Sequence, residues 1–191
     1  MMRKIATPTW LLTLFIMATT AAILLVMGQP AICACGTVEF WAGGASSPKT
    51  SQMIADWYVP SHIIHGFLFY GLFHLIWRRR PIEHRFLGAV VLEAVWEVVE
   101  NSPPVLERYR AVTIEAGYFG DSVLNSMADI GWMALGFFLA RKLPVWALVT
   151  LAIIFELAAA YFIRNNLTLS VLMLTYPIEA VKEWQAAGGT L

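Results

Sequence analysis

The chain has 191 residues, of which 59% are hydrophobic and only 14% charged, and its 13 basic side chains balance 13 acidic ones. That composition lies outside the range of soluble domains and fits one integral-membrane domain over residues 1–191. A net charge of zero excludes recruitment of nucleic acid or an acidic surface by overall charge.

Five apolar stretches are long enough to span or nearly span a bilayer, which predicts an all-α, polytopic membrane helical bundle. The first covers 8–27. Arg3 and Lys4 precede it as they would precede a secretory signal. Its apolar run from Trp10 to Met27 is longer than a usual signal core, however, and "PAIC" ahead of Cys33 fits no signal-cleavage pattern, so the segment reads as a retained helix. An outer loop, 28–59, follows. It is too long for a mere connection and reads as a cap over a site. Within it Cys33 and Cys35 are two residues apart, a strained spacing for a bridge. A mutual disulfide, a bridge to another chain and thiol ligation all stay open. Asp56 and Trp57 close the loop, the former within reach of a site entrance, the latter typical of an interfacial anchor.

The second helix, 60–77, opens with Ser61, His62 and His65; His74 lies about 13 Å deeper and belongs to a separate contact. The short basic loop "RRRPIEHR" leads into the third helix, 86–100, which "SPP" terminates. The stretch that follows, containing "RYR", reads as a loop. The fourth helix, 121–140, begins with Asp121, Ser122 and Asn125, and the fifth, 144–163, restarts at Pro144 after a tight turn. Beyond residue 163 the chain is too broken, at Pro177 above all, to span, and reads as a C-terminal interfacial amphipathic segment held by Tyr176 and Trp184.

Arginine and lysine set the orientation. Arg3, Lys4, Arg78, Arg79, Arg80, Arg85, Arg141 and Lys142 fall on one side, against Lys49, Arg108, Arg110, Arg164 and Lys182 on the other. The N-terminus is expected in the cytoplasm and the C-terminus outside.

Within this hydrocarbon sequence the stretch "EAVWEVVENSP" carries Glu93, Glu97 and Glu100, whose offsets of four and seven residues keep them on one helix face. Ser122, Asn125 and Asp129 share a face of the fourth helix at matching depths. His62 and His65 stand at the same level on the second. A carboxylate at mid-helix costs about 2.5–3.5 kcal/mol on insertion scales, so the three sets are expected to face one another rather than lipid. One explanation is a structural network in which each interhelical hydrogen bond contributes about 0.6–2 kcal/mol. The sharper one is a divalent metal site of imidazole and carboxylate, suited to zinc, manganese or iron, with an open position for water. His62, His65, Glu97 and Asp121 are the candidate ligands. Glu93, Glu97, Asp129 and Asn125 are the candidate catalytic groups, a free glutamate acting as general base. Arg108, Arg110 and Asn101 at the rim are candidates for binding a headgroup. A proton or cation relay is least supported, since the fifth helix offers only Glu156.

The strings "CACG", "DWYVPSHIIHGFLFY", "EAVWEVVENSP", "RYR", "GDSVLNSMAD" and "LTLSVLMLTYPIEAVKEWQ" resemble, over nearly the whole chain, an alphaproteobacterial family of multi-pass inner-membrane proteins of unknown function. In that family a histidine usually stands where this chain has Met53. More distantly, the order His62 or His65, Glu93 or Glu97, Arg108 or Arg110, Asp121, Asn125 and Gly136 is similar to VanZ-like membrane proteins, which implies a cell-envelope or lipid context. The implied partners are the bilayer, an amphiphilic ligand and a further membrane protein, but no nucleic acid. Two functions follow as expectations: metal-dependent hydrolysis or transfer on a lipid-linked substrate, or a non-catalytic subunit of an envelope complex.

Overall fold

A computed structural model describes residues 5–44, 47–112 and 118–187; Arg3 and Lys4, used above for orientation, lie outside them. Among the described residues the chain forms eight helices and no strand beyond one isolated bridge between Trp41 and Ala55. The helices are α1 (Thr7–Val26), α2 (Val59–Ile76), α3 (Ile82–Glu100), α4 (Pro103–Val112), α5 (Val123–Lys142), α6 (Val145–Ile163), α7 (Leu167–Thr175) and α8 (Glu179–Ala186).

Proline writes most of the starts. It stands in the first turn of α1 and α2 and just ahead of α3 and α6, where a missing N–H and a fixed φ do no harm. The same rule explains a difference from expectation. Pro103 and Pro104 end α3 as predicted, but they also open α4, so the expected loop contains a helix. The C-terminal segment likewise divides at Pro177 into apolar α7 and amphipathic α8.

Four helices, α1, α2, α5 and α6, are long and apolar enough to cross a membrane. The fifth expected span, α3, has the length but carries Glu83, Arg85, Glu93, Glu97 and Glu100. It turns its acids toward α2 and α5 and packs also on α1, while Val91, Val95 and Val99 stay exposed on its other side, which is how a helix so charged is stable. Outward-facing Leu11, Phe15, Val145, Trp146, Ile153 and Leu157 leave the outer helices apolar on their exposed sides, as a lipid-facing surface requires.

The central contact is α2 against α5, brought close by two glycines. A methyl on Gly66 would run into the Met133 carbonyl, and one on Gly136 into the Ile63 carbonyl. Gly136, expected on resemblance to belong to a site, thus lies in a helix crossing. Below it Phe73, Phe86, Ala89, Val90, Ala94, Ile130, Met133 and Phe137 form the apolar core. Above it, toward Asn101, the interior turns polar.

The segment between α1 and α2 folds over that polar end. Cys33 and Cys35 are joined to each other, the first of the three readings left open by their spacing. Met53 is fully buried beside Cys33 and Ala42. The loop also completes α5: Ser122, Val123 and Leu124 donate their N–H groups to the carbonyls of Ser51, Pro30 and Ala31 at 2.9, 2.8 and 3.1 Å. Ser122 Oγ accepts the next one, from Asn125, at 3.2 Å. The free N–H groups of the first turn are thereby satisfied without water.

Candidate functional site

The spacing of Glu93, Glu97 and Glu100 on α3 brings the first two to full burial at 0% exposure. Facing them, α2 contributes His62 and His65 and α5 contributes Asn125 and Asp129. His62 Nδ1 lies 2.7 Å from Glu93 Oε1, and His65 Nδ1 lies 3.0 Å from Glu93 Oε2. Glu93 therefore holds both imidazoles. The other edge of His62 faces Asp129, with Nε2 3.7 Å from Oδ2, while Nδ1 is 3.8 Å from Glu97 Oε1.

Glu97 differs from its neighbours. Neither of its carboxyl oxygens has a hydrogen-bond partner, and Asp129 Oδ1 is in the same state. Buried acceptors of this kind are rare and each costs about 1–3 kcal/mol when left unpaired.

Three groups of ligand-type side chains result, each with donor atoms within 4.8 Å of one another: His62, His65 and Glu93; His62, Glu97 and Asp129; Glu97, Glu100 and Asp121. The four ligands expected from sequence are thus not one cluster. His62 and Glu97 come together, with Asp129 as third member; His65 sits with Glu93, and Asp121 on the far side of Glu97.

At the Asn101 end the geometry is tightly specified. Asn101 Nδ2 donates to the Glu97 carbonyl and to Asp121 Oδ2, both at 2.9 Å, and its Oδ1 accepts from the Asp121 N–H at 2.7 Å. The Tyr118 hydroxyl donates to Asp121 Oδ1 at 2.8 Å. Gly120, at φ 104°, makes this turn, and a side chain there would strike Gln29 and Asn101. Asn101, expected at the headgroup, thus links the end of α3 to the start of α5. Burial pushes the Asp121 carboxyl above its ordinary range, against the opposing effect of the Tyr118 and Asn101 hydrogen bonds. The Asp56 carboxyl is likewise raised by burial, although it accepts backbone N–H groups from Ser51 and Tyr58 at 2.7 Å each.

A cavity of about 50 Å³ opens onto this cluster. It is large enough for a few waters or a hydrated ion, since one water needs roughly 10–15 Å³. His62, His65, Glu100, Asp121, Asn125 and Asp129 form its polar wall. Trp96 and, from α7, Leu167, Val171 and Leu174 form the apolar one.

The position of α7 has a local cause. Glu156 accepts the N–H groups of Leu167 and Thr168 at 3.1 and 3.0 Å, a carboxylate at a helix N-terminus. The residue read as a relay step thus seats α7. Tyr109 then ties α4 to α7 through Ser170 at 2.9 Å.

The rim arginines behave differently from their neighbour. Arg108 is exposed and donates to the Leu174 carbonyl, and Arg110 to that of Tyr118. Tyr109, between them, lines the cavity. His74 is remote, beside Arg85 at 3.0 Å. Trp57 stacks on Phe162 at 4.7 Å. Sequence reasoning missed Ser51, Tyr58, Trp96, Tyr118 and the α7 residues. Of these, Trp96 stands inside "EAVWEVVENSP", Tyr58 inside "DWYVPSHIIHGFLFY", and Tyr118 three residues before Asp121, but none carries a signal that marks it as part of a site.

Fold and site together define a small helical bundle, four of its helices long and apolar enough to cross a membrane, with an acid–histidine cluster buried beneath one end. Family comparison gives it a place: a model described as "Protein of unknown function (DUF2585)" matches residues 24–187, and the chain belongs to that family. Its relatives carry the designation UPF0314. It is 50% identical to one from Rhizobium johnstonii over 177 residues, 92% of this chain and 91% of the relative. It is 55% identical to one from Sinorhizobium fredii over 161 residues, 84% and 82% of the two chains. A Sphingopyxis alaskensis relative is 50% identical over 179 residues, 94% and 95%. No solved structure matches. The family resemblance is thereby established, whereas the likeness to VanZ-like proteins is not shown.

Proposed function

We propose that this is a bacterial inner-membrane protein whose cavity opens to the periplasm, binds a divalent cation through His62, Glu97 and Asp129, and uses it in hydrolysis or transfer at the headgroup of an amphiphile. The observation that carries the reading is Glu97, fully buried with two unpartnered oxygens beside His62 and Asp129. A cation would satisfy those oxygens and offset the clustered negative charge.

Glu93 supports the same reading. By holding His62 Nδ1 it fixes the ring and its tautomer, leaving Nε2 toward Asp129, the arrangement in which a carboxylate orients a metal-binding histidine. When bound, the cation would supply Lewis acidity and lower the pKa of a coordinated water. Asn125 and His65, also on the wall, would orient the headgroup or accept a proton. The cavity's apolar wall from α7 suits the start of an acyl or isoprenoid chain. A periplasmic opening follows from the arginine-rich loops, since Arg78, Arg79, Arg80, Arg85, Arg141 and Lys142 lie at the opposite end of the bundle.

The test is the metal content of detergent-purified protein, measured by mass spectrometry beside Glu97→Gln and His62→Ala. Stoichiometric metal in the wild type, lost in both variants, is the expected result. Metal-free wild type that copurifies with a membrane partner regardless of Glu97→Gln would replace this reading with that of a non-catalytic subunit.

A further inference from the structure

Glu97 belongs to two of the three ligand groups at once: with His62 and Asp129 on one side, and with Glu100 and Asp121 on the other. Both of its oxygens are unpartnered and its side chain is fully buried. A carboxylate serving a single ion needs only one of them. A side chain shared between two ligand groups, with neither oxygen engaged, is what a bridging carboxylate requires.

We infer that the buried cluster beside the cavity holds two divalent cations bridged by Glu97: one on His62 and Asp129, the second on Glu100 and Asp121. This second site rests on the cation reading of the first.

Charge supports the pair. Glu93, Glu97, Glu100, Asp121 and Asp129 meet at this end of the bundle, and the ion pairs that reach them run from His62 and His65. Arg110 is turned to the Tyr118 carbonyl and Arg108 to that of Leu174. Asp56 lines the same cavity, and each divalent ion bound there would offset two carboxylate charges in a poorly solvated region.

The second site is also the better braced of the two. Asp121 is fixed by Asn101 and Tyr118, which act as outer partners of a ligating carboxylate. Both Glu100 and Asp121 line the cavity, so water or a phosphate or carboxylate oxygen could reach the second ion directly. Paired ions roughly 3.5–4 Å apart clamp the attacking and leaving oxygens of a displacement at phosphorus or at an acyl carbon. A phosphorylated or acylated headgroup is therefore the substrate class this geometry favours.

Full-length protein in detergent, stripped with EDTA and titrated with Mn²⁺, tests the inference by equilibrium binding and electron paramagnetic resonance. Two ions per chain with an exchange-coupled spectrum are expected for the wild type. Glu100→Gln should retain one ion with the signal of isolated Mn²⁺, and Glu97→Gln should lose the coupling. One uncoupled ion per chain, unchanged by Glu100→Gln, would overturn the second site and leave the first standing. No bound Mn²⁺ would overturn both. Because the wild-type stoichiometry decides by itself, misfolding of a variant cannot shield the proposal.

Discussion

Replacing Glu97 by glutamine makes a sign test of the cation reading. The two side chains have the same shape, so packing at this fully buried position is conserved. Without metal, the wild type carries two unpaired Glu97 oxygens and the unpaired Asp129 Oδ1. Each costs about 1–3 kcal/mol. Glutamine removes one acceptor and adds an NH₂ donor on the side chain that neighbours Asp129, whose ligating atom lies within 4.8 Å of that of Glu97, so that a small shift would pair them. Glu97→Gln in EDTA should therefore be more stable than wild type by about 2 kcal/mol, or about 4–8 °C in Tm for a chain of this size. Saturating metal should reverse the order. A ligand at 100 times its Kd adds about 2.7 kcal/mol to the wild type and little to the variant. Tryptophan fluorescence during heating in detergent, with EDTA and then with Mn²⁺ or Zn²⁺, gives both values. A variant less stable than wild type under both conditions, with no metal effect on either, would refute the argument.

Three further outcomes follow. Gly136→Ala forces a methyl against the Ile63 carbonyl and should lower stability by about 1–3 kcal/mol or more, read as Tm and as loss of monodisperse protein, whereas Gly131→Ala, in open space within α5, should raise it by about 0.5–1 kcal/mol. In EDTA, stability should fall as pH rises above about 4. Asp56 and Asp121 are raised by burial, so over that range the folded chain binds more protons than the unfolded one, until both ionise. A Tm that rises with pH from about 4 upward would contradict this. Finally, in intact cells an impermeant maleimide should label Lys49→Cys and spare Arg79→Cys; the opposite pattern would invert the topology.

The helices were legible because their signals are local. Length, hydropathy and proline placement gave α1, α2, α5 and α6 to within one or two residues. Depth matching alone brought α2, α3 and α5 together, since an acid in hydrocarbon has so few places to go. What stayed hidden depends on contacts far apart in sequence. Nothing near Glu156 indicates that it caps α7, and nothing near Pro30 or Ser51 indicates that their carbonyls complete α5. The proline pair after α3 was ambiguous for a different reason, because the residue that ends one helix is equally suited to begin another. The division of the expected ligand set arises because Asn101 pulls Asp121 toward the end of α3, a backbone detail that no helical wheel contains.

The carbonyls of Pro30, Ala31 and Ser51 that finish α5 have a bearing on biogenesis. They belong to the first third of the chain, yet the N–H groups they receive are made 93 residues later for Pro30 and Ala31 and 71 later for Ser51. A ribosome delivering this protein therefore inserts Glu93 and Glu97 before the helix that confronts them exists, and before the early loop has anything to clasp. The pocket comes into being only when the nascent chain doubles back on its own beginning. Truncation between α3 and α5 would leave Glu93 and Glu97 without the helix that faces them.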